Sequence, residues 1–159
     1  MRLLVCGSRN WTRVDVVYAA LDALRPAVVI EGGATGADAI ARQWARDRAT
    51  HLDTYPADWQ RDGKAAGPIR NARMLAEGRP THGLALGALW IAVVCGVCGG
   101  DDGGRAECRK CGGSGRSGWK RTGTGDMVSR MLRTSIPVRW VAAPGAEAVD
   151  LASFPEPPR

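Results

Sequence analysis

Ala27-Val28-Val29-Ile30-Glu31-Gly32-Gly33-Ala34-Thr35-Gly36-Ala37-Asp38 passes from a short apolar run, through a glycine-rich turn, into the start of a helical pattern. The apolar run is typical of a buried strand. The helical pattern follows from about Ala37, with Ile40, Ala41, Trp44 and Ala45 on one face. A strand, a glycine turn and an amphipathic helix in this order form the repeating unit of a parallel α/β sheet.

The same alternation extends in both directions along the chain. The sequence predicts strands over Arg2–Cys6, Ala27–Ile30, His51–Tyr55, Leu84–Leu89 and Pro137–Ala142. Helices are predicted after a capping-box-like start at Thr12-Arg13-Val14-Asp15, from Ala37, around Pro68, and over Met127–Leu132. We therefore predict an α/β fold: a parallel sheet of about five strands, with helices on both faces.

Length and composition fit one domain. The chain has 159 residues, of which 45% are hydrophobic and 24% are charged. The predicted domain spans residues 1–142 and is interrupted by an insert at residues 90–121. A proline-rich tail, residues 143–159, is expected to be loose. No apolar run approaches the ~18 residues of a membrane span, and the first residues do not resemble a signal peptide. We expect a cytoplasmic protein with no membrane partner, and a homo-oligomer is left open.

The formal charge of +6 comes from 22 Lys and Arg against 16 Asp and Glu. No block of five like charges is present, so one interpretation is an ordinary solvated surface. The alternative is a basic cleft that binds an anionic ligand.

Three glycine turns follow predicted strands or precede predicted helices. They are Gly7-Ser8-Arg9-Asn10, Gly32-Gly33-Ala34-Thr35-Gly36-Ala37-Asp38 and Gly123-Thr124-Gly125-Asp126. In a parallel sheet such turns meet at the carboxyl edge, where ligands bind. Glycine lets the backbone approach a phosphate, and helix N-termini offer free N–H groups. A single turn would be only a connection, but three together favour a phosphate-containing ligand.

The two acids in these turns each have two interpretations. Asp38 is a ligand-binding residue or merely a capping partner of Thr35. Asp126 is an acceptor for ribose hydroxyls or merely favours the helix dipole.

The arginines and one tryptophan also have alternatives. Arg9 directly follows the first strand, and Arg70 and Arg73 lie on the helix that contains Pro68, so they either contact phosphate or are solvated. Trp59 lies in a polar connection and either stacks on a base or holds that connection against the core. Cys6 is predicted to be a small buried residue.

Four cysteines mark the insert. Cys95-Gly96-Val97-Cys98-Gly99-Gly100 and Cys108-Arg109-Lys110-Cys111-Gly112-Gly113 are two copies of one turn. Two such pairs form a closed site with four sulfur ligands, which is typical of structural zinc, although iron is also compatible with this ligand set. The sequence therefore predicts that Cys95, Cys98, Cys108 and Cys111 hold one zinc ion in a ribbon-like insert, with residues 90–94 and 117–121 paired as its stem.

The insert is basic and lies next to the predicted ligand cleft. Its cationic residues are Arg105, Arg109, Lys110, Arg116, Lys120 and Arg121. They offset the negative charge of a zinc–thiolate site, or they contact nucleic acid or an acidic partner. The position is suitable for a lid or a partner-binding surface.

These motifs, in this order, resemble a known family. Val5-Cys6-Gly7-Ser8-Arg9-Asn10-Trp11, Glu31–Asp38, Pro56-Ala57-Asp58-Trp59, Gly67-Pro68-Ile69-Arg70-Asn71-Ala72-Arg73-Met74 and Gly123-Thr124-Gly125-Asp126-Met127 are similar to the YspA-like branch of the SLOG superfamily. That superfamily includes the DprA/Smf proteins and the LOG (Lonely Guy) phosphoribohydrolases. The resemblance covers about residues 1–89 and 122–142. It implies a Rossmann-like fold and a site for nucleoside phosphates or ADP-ribose derivatives.

The resemblance also implies roles for individual residues. The ligand-binding set is Gly7, Ser8, Arg9, Gly32, Gly33, Gly36, Asp38, Trp59, Arg70, Asn71, Arg73, Gly123, Thr124 and Gly125. Arg70 and Asp126 occupy places comparable to the arginine and acid that serve N-glycosidic cleavage in LOG enzymes. The LOG pattern has Pro-Gly-Gly before the Gly-Thr turn and two glutamates after it, whereas this chain has Lys120-Arg121-Thr122 and Met127. We therefore expect weak or absent hydrolysis.

Three functions follow as hypotheses. The first is a binder of a nucleotide-like ligand, acting as a sensor or sequestering protein. The second is DprA-like binding of single-stranded nucleic acid, helped by the basic insert. The third is LOG-like hydrolysis of a nucleotide N-glycosidic bond.

Overall fold

A computed structural model describes residues 1–94 and 116–157. The strands are β1 (Arg2–Gly7), β2 (Val28–Glu31), β3 (His51–Thr54), β4 (His82–Leu86), β5 (Trp90–Val94), β6 (Arg116–Arg121), β7 (Val138–Val141) and β8 (Val149–Leu151). The helices are α1 (Val14–Leu24), α2 (Ala37–Asp47), α3 (Trp59–Asp62), α4 (Ala66–Ala76) and α5 (Gly123–Arg133), and a 3₁₀ turn spans Gly63–Ala65.

β1 lies inside the main sheet because its side chains are apolar on both faces. Leu3, Leu4 and Val5 are completely buried, as expected for a strand covered by helices on both sides. The sheet order is β3-β2-β1-β4-β7-β8. β1, β2, β3, β4 and β7 are parallel, with Leu4 opposite Ile30 on one side and Gly83 on the other. The predicted α/β fold with a mostly parallel sheet is confirmed.

Each face of the sheet has its own core. On one face, α1 and α2 contribute Val17, Leu21 and Trp44 to an apolar cluster. On the other face, α4 and α5 contribute Met74, Met127 and Met131, among others, to a second cluster. Helices therefore cover both faces, as predicted. Cys6 belongs to the second cluster and is 8% exposed, so its prediction as a small buried residue is confirmed.

One local prediction was wrong. The capping box at Thr12-Arg13-Val14-Asp15 does not form, because α1 is capped at Arg13 without a side-chain hydrogen bond. The carboxylate of Asp15 instead pairs with the guanidinium of Arg13, whose Nε lies 2.8 Å from Oδ1. The polar connection between Pro56 and Gly67 contains α3, whose N-cap Asp58 accepts a hydrogen bond from the N–H of Arg61 at 2.9 Å.

The stem of the insert and the tail are both built into the fold. β5 and β6 pair in an antiparallel hairpin, with Trp90 opposite Arg121 and Val94 opposite Arg116, as predicted for the stem. The expectation of a loose tail from Ala143 needs correction. β8 is antiparallel to β7 and extends the sheet, held in part by an ion pair between Arg139 and Asp150.

In the described ranges, 1–94 and 116–157, no helix has the length and apolar character that crossing a membrane requires.

Candidate functional site

A cleft of about 740 Å³ lies at the carboxyl ends of the parallel strands. The chain moves from β1 to β2 and β3 on one side, and then returns to β4 on the other side of β1. Such a reversal opens a crevice between the turns that follow the two central strands. The predicted site residues that line the cleft are Gly7, Ser8, Arg9, Asp38, Trp59, Arg70, Asn71, Gly123, Thr124 and Asp126.

A smaller cavity of about 320 Å³ adjoins this cleft. Gly32 and Gly33 line it, and Arg9, Trp59 and Arg70 line both cavities. The two arginines and the tryptophan therefore stand at the boundary between two compartments of one site.

The glycine turn after β2 uses its N–H groups internally. Oδ2 of Asp38 accepts hydrogen bonds from the N–H groups of Gly32 and Ala34, at 3.0 and 3.3 Å. Oε2 of Glu31 accepts from the N–H of Gly33 at 2.7 Å. These three N–H groups are thus occupied by carboxylates and do not face an incoming phosphate, which departs from the expectation for this turn.

The buried side chain of Glu31 holds the turn after β2 in position. It is completely buried, and a buried carboxylate is stable only when it is paired and hydrogen-bonded. Two nitrogens of the Arg42 guanidinium donate to it, with Nε 3.1 Å from Oε1 and Nη2 3.0 Å from Oε2. The hydroxyl of Thr54 donates to Oε1 at 2.6 Å. The position of the turn is therefore set by an acid that does not itself line the cleft.

Asp38 and Arg70 face each other at the boundary of the two cavities. Asp38 is 4% exposed, and Nη1 of Arg70 lies 3.9 Å from Oδ2 of Asp38. Burial raises the pKa of Asp38 to about 6, although Arg70 and the backbone N–H groups of Gly32 and Ala34 oppose this rise. Asp38 does not cap α2, whose N-cap is Gly36 without a side-chain hydrogen bond. Its role as a capping partner of Thr35 is therefore excluded.

Arg70 is held by the backbone and by its neighbour. Its Nη1 donates to the carbonyl oxygen of Gly32, and its Nε donates to Oδ1 of Asn71 at 3.0 Å. A Cβ at position 32 would overlap the Arg70 guanidinium, so glycine is needed there for this contact. In the described ranges Nη2 of Arg70 has no acceptor, and Arg70 lines both cavities.

The start of α5 forms the opposite side of the cleft. Thr122 is its N-cap, and its hydroxyl oxygen accepts from the N–H of Gly125 at 2.9 Å. The N–H groups of the first helical residues, Gly123 and Thr124, have no acceptor in the described part of the chain. Both residues line the cleft. Free N–H groups at a helix start attract anions.

Asp126 follows in the same turn of α5. Its Oδ2 accepts from Nδ2 of Asn71 at 3.0 Å and from Nε of Arg130 at 2.8 Å. The side chain is 28% exposed and lines the cleft. The structure thus brings Asp126 next to the consecutive residues Arg70 and Asn71, although Asp126 is distant from them in sequence.

Trp59 is an exposed aromatic surface of the site. It is 50% exposed, which excludes the interpretation that it holds the connection against the core. The guanidinium carbon of Arg9 lies 5.2 Å from the centre of its ring, within the range of a cation–π contact. Arg9 is itself exposed. Arginine and aromatic ring together offer a charged and a stacking surface at the boundary of the two cavities.

Sequence reasoning missed Trp90 and Arg121, which also line the cleft. Arg121 lies over the rings of Trp90 and Phe154, at 5.5 and 4.7 Å from their centres. Nε1 of Trp90 donates to the carbonyl oxygen of Pro155 at 3.0 Å. Trp90 and Arg121 form a wall of the cleft that contacts Phe154 and Pro155 of the tail. Because these residues are far apart in sequence, no local motif predicts this wall.

Three predicted site residues lie outside the lining of both cavities. Arg73 pairs with Glu77, with 3.2 Å between Nε and Oε1. Gly36 packs against the backbone of Ser8 and Arg9, and Gly125 packs against the carbonyl of Leu89. Cys6 does line the cleft, but burial and the nearby Asp38 carboxylate raise the pKa of its thiol, so it is not an activated nucleophile.

The cysteines predicted to bind zinc, Cys95, Cys98, Cys108 and Cys111, lie outside the described residues. Among the residues that are described, no group of three or more His, Cys, Asp or Glu side chains is arranged to hold a metal ion.

Comparison with known proteins agrees with this architecture. The model of the YAcAr family, the YspA, cpYpsA-related SLOG family, matches residues 1–61. The gene 61 protein of Mycobacterium phage D29 is 40% identical over 87 residues, which cover 48% of this chain and 70% of the phage protein. No solved structure matches the chain significantly.

The protein is therefore an α/β protein with a ligand-sized cleft at the switch point of a mostly parallel sheet. It belongs to the YspA, cpYpsA-related SLOG family. Membership of this family indicates a function related to nucleotides.

Proposed function

We propose that the cleft binds a nucleotide-like ligand, such as a nucleoside phosphate or an ADP-ribose derivative, and that the protein acts as a sensor or sequestering protein. One observation carries the proposal: a single cleft collects Arg9, Arg70, the free N–H groups at the start of α5, and the exposed ring of Trp59. A phosphate requires the charges and the N–H groups. A base requires a flat apolar surface.

We assign the phosphate in this proposal to the α5 side of the cleft, and the hydrogen bonds of two turns support this choice. The turn after β2 has its Gly32, Gly33 and Ala34 N–H groups occupied by Asp38 and Glu31. The N–H groups of Gly123 and Thr124 are available in the described structure and carry the positive end of the helix dipole. The phosphate in this proposal therefore binds near Gly123 and Thr124, in the cleft that Arg9 and Arg70 also line.

The test is a binding titration with AMP and ADP-ribose, followed by calorimetry on two variants. Arg9→Ala and Arg70→Ala should each weaken binding by about 1.5–3 kcal/mol, the free energy of a charged hydrogen bond. Arg46→Ala is the matched control, because Arg46 is exposed on α2 away from the cleft. Unchanged affinity in both cleft variants would place the site elsewhere. Binding of oligonucleotides alone, weakening steeply with salt, would favour the nucleic-acid hypothesis instead.

Hydrolysis of an N-glycosidic bond is a second candidate, since Asp126 and Arg70 line one cleft. Cleavage of that bond builds positive charge on the ribose, which a fixed carboxylate stabilises. Oδ2 of Asp126 is already engaged by Asn71 and Arg130, which limits its availability. Chromatography for free base after incubation with AMP tests this activity. Rapid base release that is lost in Asp126→Asn would make hydrolysis the main function.

We further propose that Cys95, Cys98, Cys108 and Cys111 hold one structural zinc ion. Val94 and Arg116 lie opposite each other in the β5–β6 pair, so the segment that contains the four cysteines leaves and re-enters the fold at neighbouring points. Four cysteine thiolates form a closed site that suits zinc. Elemental analysis of protein purified without added metal should find about one zinc per chain. Cys98→Ser with Cys111→Ser should lower that content, and an unchanged content would contradict the assignment.

A further inference from the structure

Asn71 occupies the centre of a hydrogen-bonded chain across the floor of the cleft. It is 4% exposed. Its Oδ1 accepts from Nε of Arg70 at 3.0 Å, and its Nδ2 donates to Oδ2 of Asp126 at 3.0 Å. The carbonyl oxygen of Gly123 also lies 3.4 Å from Nδ2. A donor on one side and acceptors on the other fix the orientation of the amide.

These hydrogen bonds leave one carboxylate oxygen of Asp126 without a donor among the described residues. Asn71 and Arg130 both donate to Oδ2, at 3.0 and 2.8 Å. In the described part of the protein Oδ1 of Asp126 receives no hydrogen bond, and the residue lines the cleft. Two donors on Oδ2 hold the plane of the carboxylate. The free oxygen is therefore an acceptor held in a defined orientation.

Asn71 also separates two opposite charges. A guanidinium and a carboxylate that meet directly form a strong bidentate pair and satisfy each other. Arg70 and Asp126 form no ion pair with each other here, because the neutral amide lies between them and bonds to both. Arg70 thus keeps Nη2 available, and Asp126 keeps Oδ1 available, on the same cleft.

We infer that Asn71 is a positioning residue that makes the site selective for ligands with ribose hydroxyls over deoxyribose ligands. The inference rests on the proposed nucleotide-binding function. A hydroxyl that donates to a fixed, partly buried carboxylate forms a charged hydrogen bond, and a deoxy ligand leaves that carboxylate unpaired. Selectivity depends on Asn71 because the amide keeps the carboxylate in place and away from Arg70.

The experiment measures a ratio of dissociation constants by calorimetry. The probes are AMP, 2′-deoxyAMP and 3′-deoxyAMP, and the parent protein should bind AMP about 10–100-fold more tightly than at least one deoxy probe. Asn71→Asp keeps the size of the side chain and can still accept from Arg70, but it cannot donate to Asp126. The ratio should then fall below about threefold, because AMP binding weakens while binding of the disfavoured deoxy probe is much less affected. A purely structural role would weaken all three probes equally and leave the ratio unchanged.

Two further variants sharpen the result. Asn10→Asp is the matched control, because it introduces the same charge in the turn after β1 without touching Asp126, and the ratio should stay at the parent value. If Asn71→Asp does not fold, Asn71→Ser removes the amide that bonds to both Arg70 and Asp126, and the ratio of dissociation constants should likewise fall below about threefold. Equal binding of AMP and both deoxy probes by the parent overturns this inference alone. An absence of nucleotide binding by the parent overturns the proposed function and this inference together.

Discussion

Asp38 is a buried carboxylic acid whose negative charge is only partly balanced by its neighbours. The Arg70 guanidinium is 3.9 Å away, and two backbone N–H groups donate to one oxygen. Burial nevertheless dominates and raises the pKa to about 6. The ionised form of Asp38 is therefore less stable in the folded protein than in the unfolded chain.

This shift makes stability depend on pH in a definite direction. The folded protein binds the Asp38 proton more tightly than the unfolded chain, so the contribution to stability is full below about pH 4 and is lost as the pH rises through about 6. Asp38→Asn removes the titration. Between pH 4 and pH 7 the variant should gain on the order of 2–3 kcal/mol of unfolding free energy relative to the parent. Urea unfolding of both proteins at the two pH values measures this difference.

The comparison with the parent matters because other acids titrate in the opposite direction. Ion pairing and hydrogen bonding lower the pKa of Asp22, Asp62 and Asp150, which stabilises the fold at neutral pH. These contributions cancel in the difference between variant and parent. A difference that does not change with pH would contradict the raised pKa of Asp38.

At the scale of elements, the start of α5 offers a pair of glycines in contrasting surroundings. A Cβ at Gly125 would overlap the carbonyl oxygen of Leu89, whereas a Cβ at Gly123 would meet nothing within 4 Å. Gly125→Ala should therefore destabilise the protein by about 1–3 kcal/mol, the cost of overpacking. Gly123→Ala should change stability by less than about 0.5 kcal/mol. Thermal unfolding of the two variants tests the contrast, and equal stabilities would contradict the packing of α5 against Leu89.

The elements that sequence predicts best here are those with a local signal. β1 and β2 are short apolar runs, and α2 has an apolar face that Trp44 and Ala45 share, so both strand and helix follow from periodicity. β8 has no such pattern. It pairs with the edge of β7, and its exposed ion pair between Asp150 and Arg139 leaves no periodic signal in the sequence.

The candidate site also has features that the sequence predicts and features that it does not. The glycine turns after β1 and β2 lie on the two cavities because turns after parallel strands share one edge, whereas the turn at Gly123 follows β6 of the hairpin. They did not reveal which N–H groups remain free. Two carboxylates, on Glu31 and Asp38, take the N–H groups of the turn after β2, and sequence spacing alone does not distinguish a donor used internally from one offered to a ligand.

At the scale of the whole molecule, the tail supports one wall of the cleft. The Phe154 ring lies 5.4 Å from the Trp90 ring in an edge-to-face arrangement, and Arg121 lies over both. Phe154→Ala should lower the unfolding free energy by about 1–2 kcal/mol, less than for a fully buried phenylalanine. Since Trp90 and Arg121 line the cleft, affinity for AMP should also fall several-fold.

Val149→Ala provides the control for that variant. Val149 belongs to the same tail but is 50% exposed in β8, so its truncation should leave both stability and AMP affinity nearly unchanged. Calorimetric titration and thermal unfolding of the two variants give the comparison. Affinity that is retained in Phe154→Ala would show that the wall keeps its position without the tail.

The β5–β6 hairpin has a consequence for how this protein can change over evolutionary time. Val94 and Arg116 are directly paired, and paired residues of antiparallel strands have Cα atoms only about 4.5–5.5 Å apart. A connecting segment of any length therefore fits without changing the distance between β5 and β6. At the other end of the same hairpin, Trp90 and Arg121 border the cleft. The hairpin is thus a point where natural recombination or a protein engineer can insert a module next to the proposed ligand site.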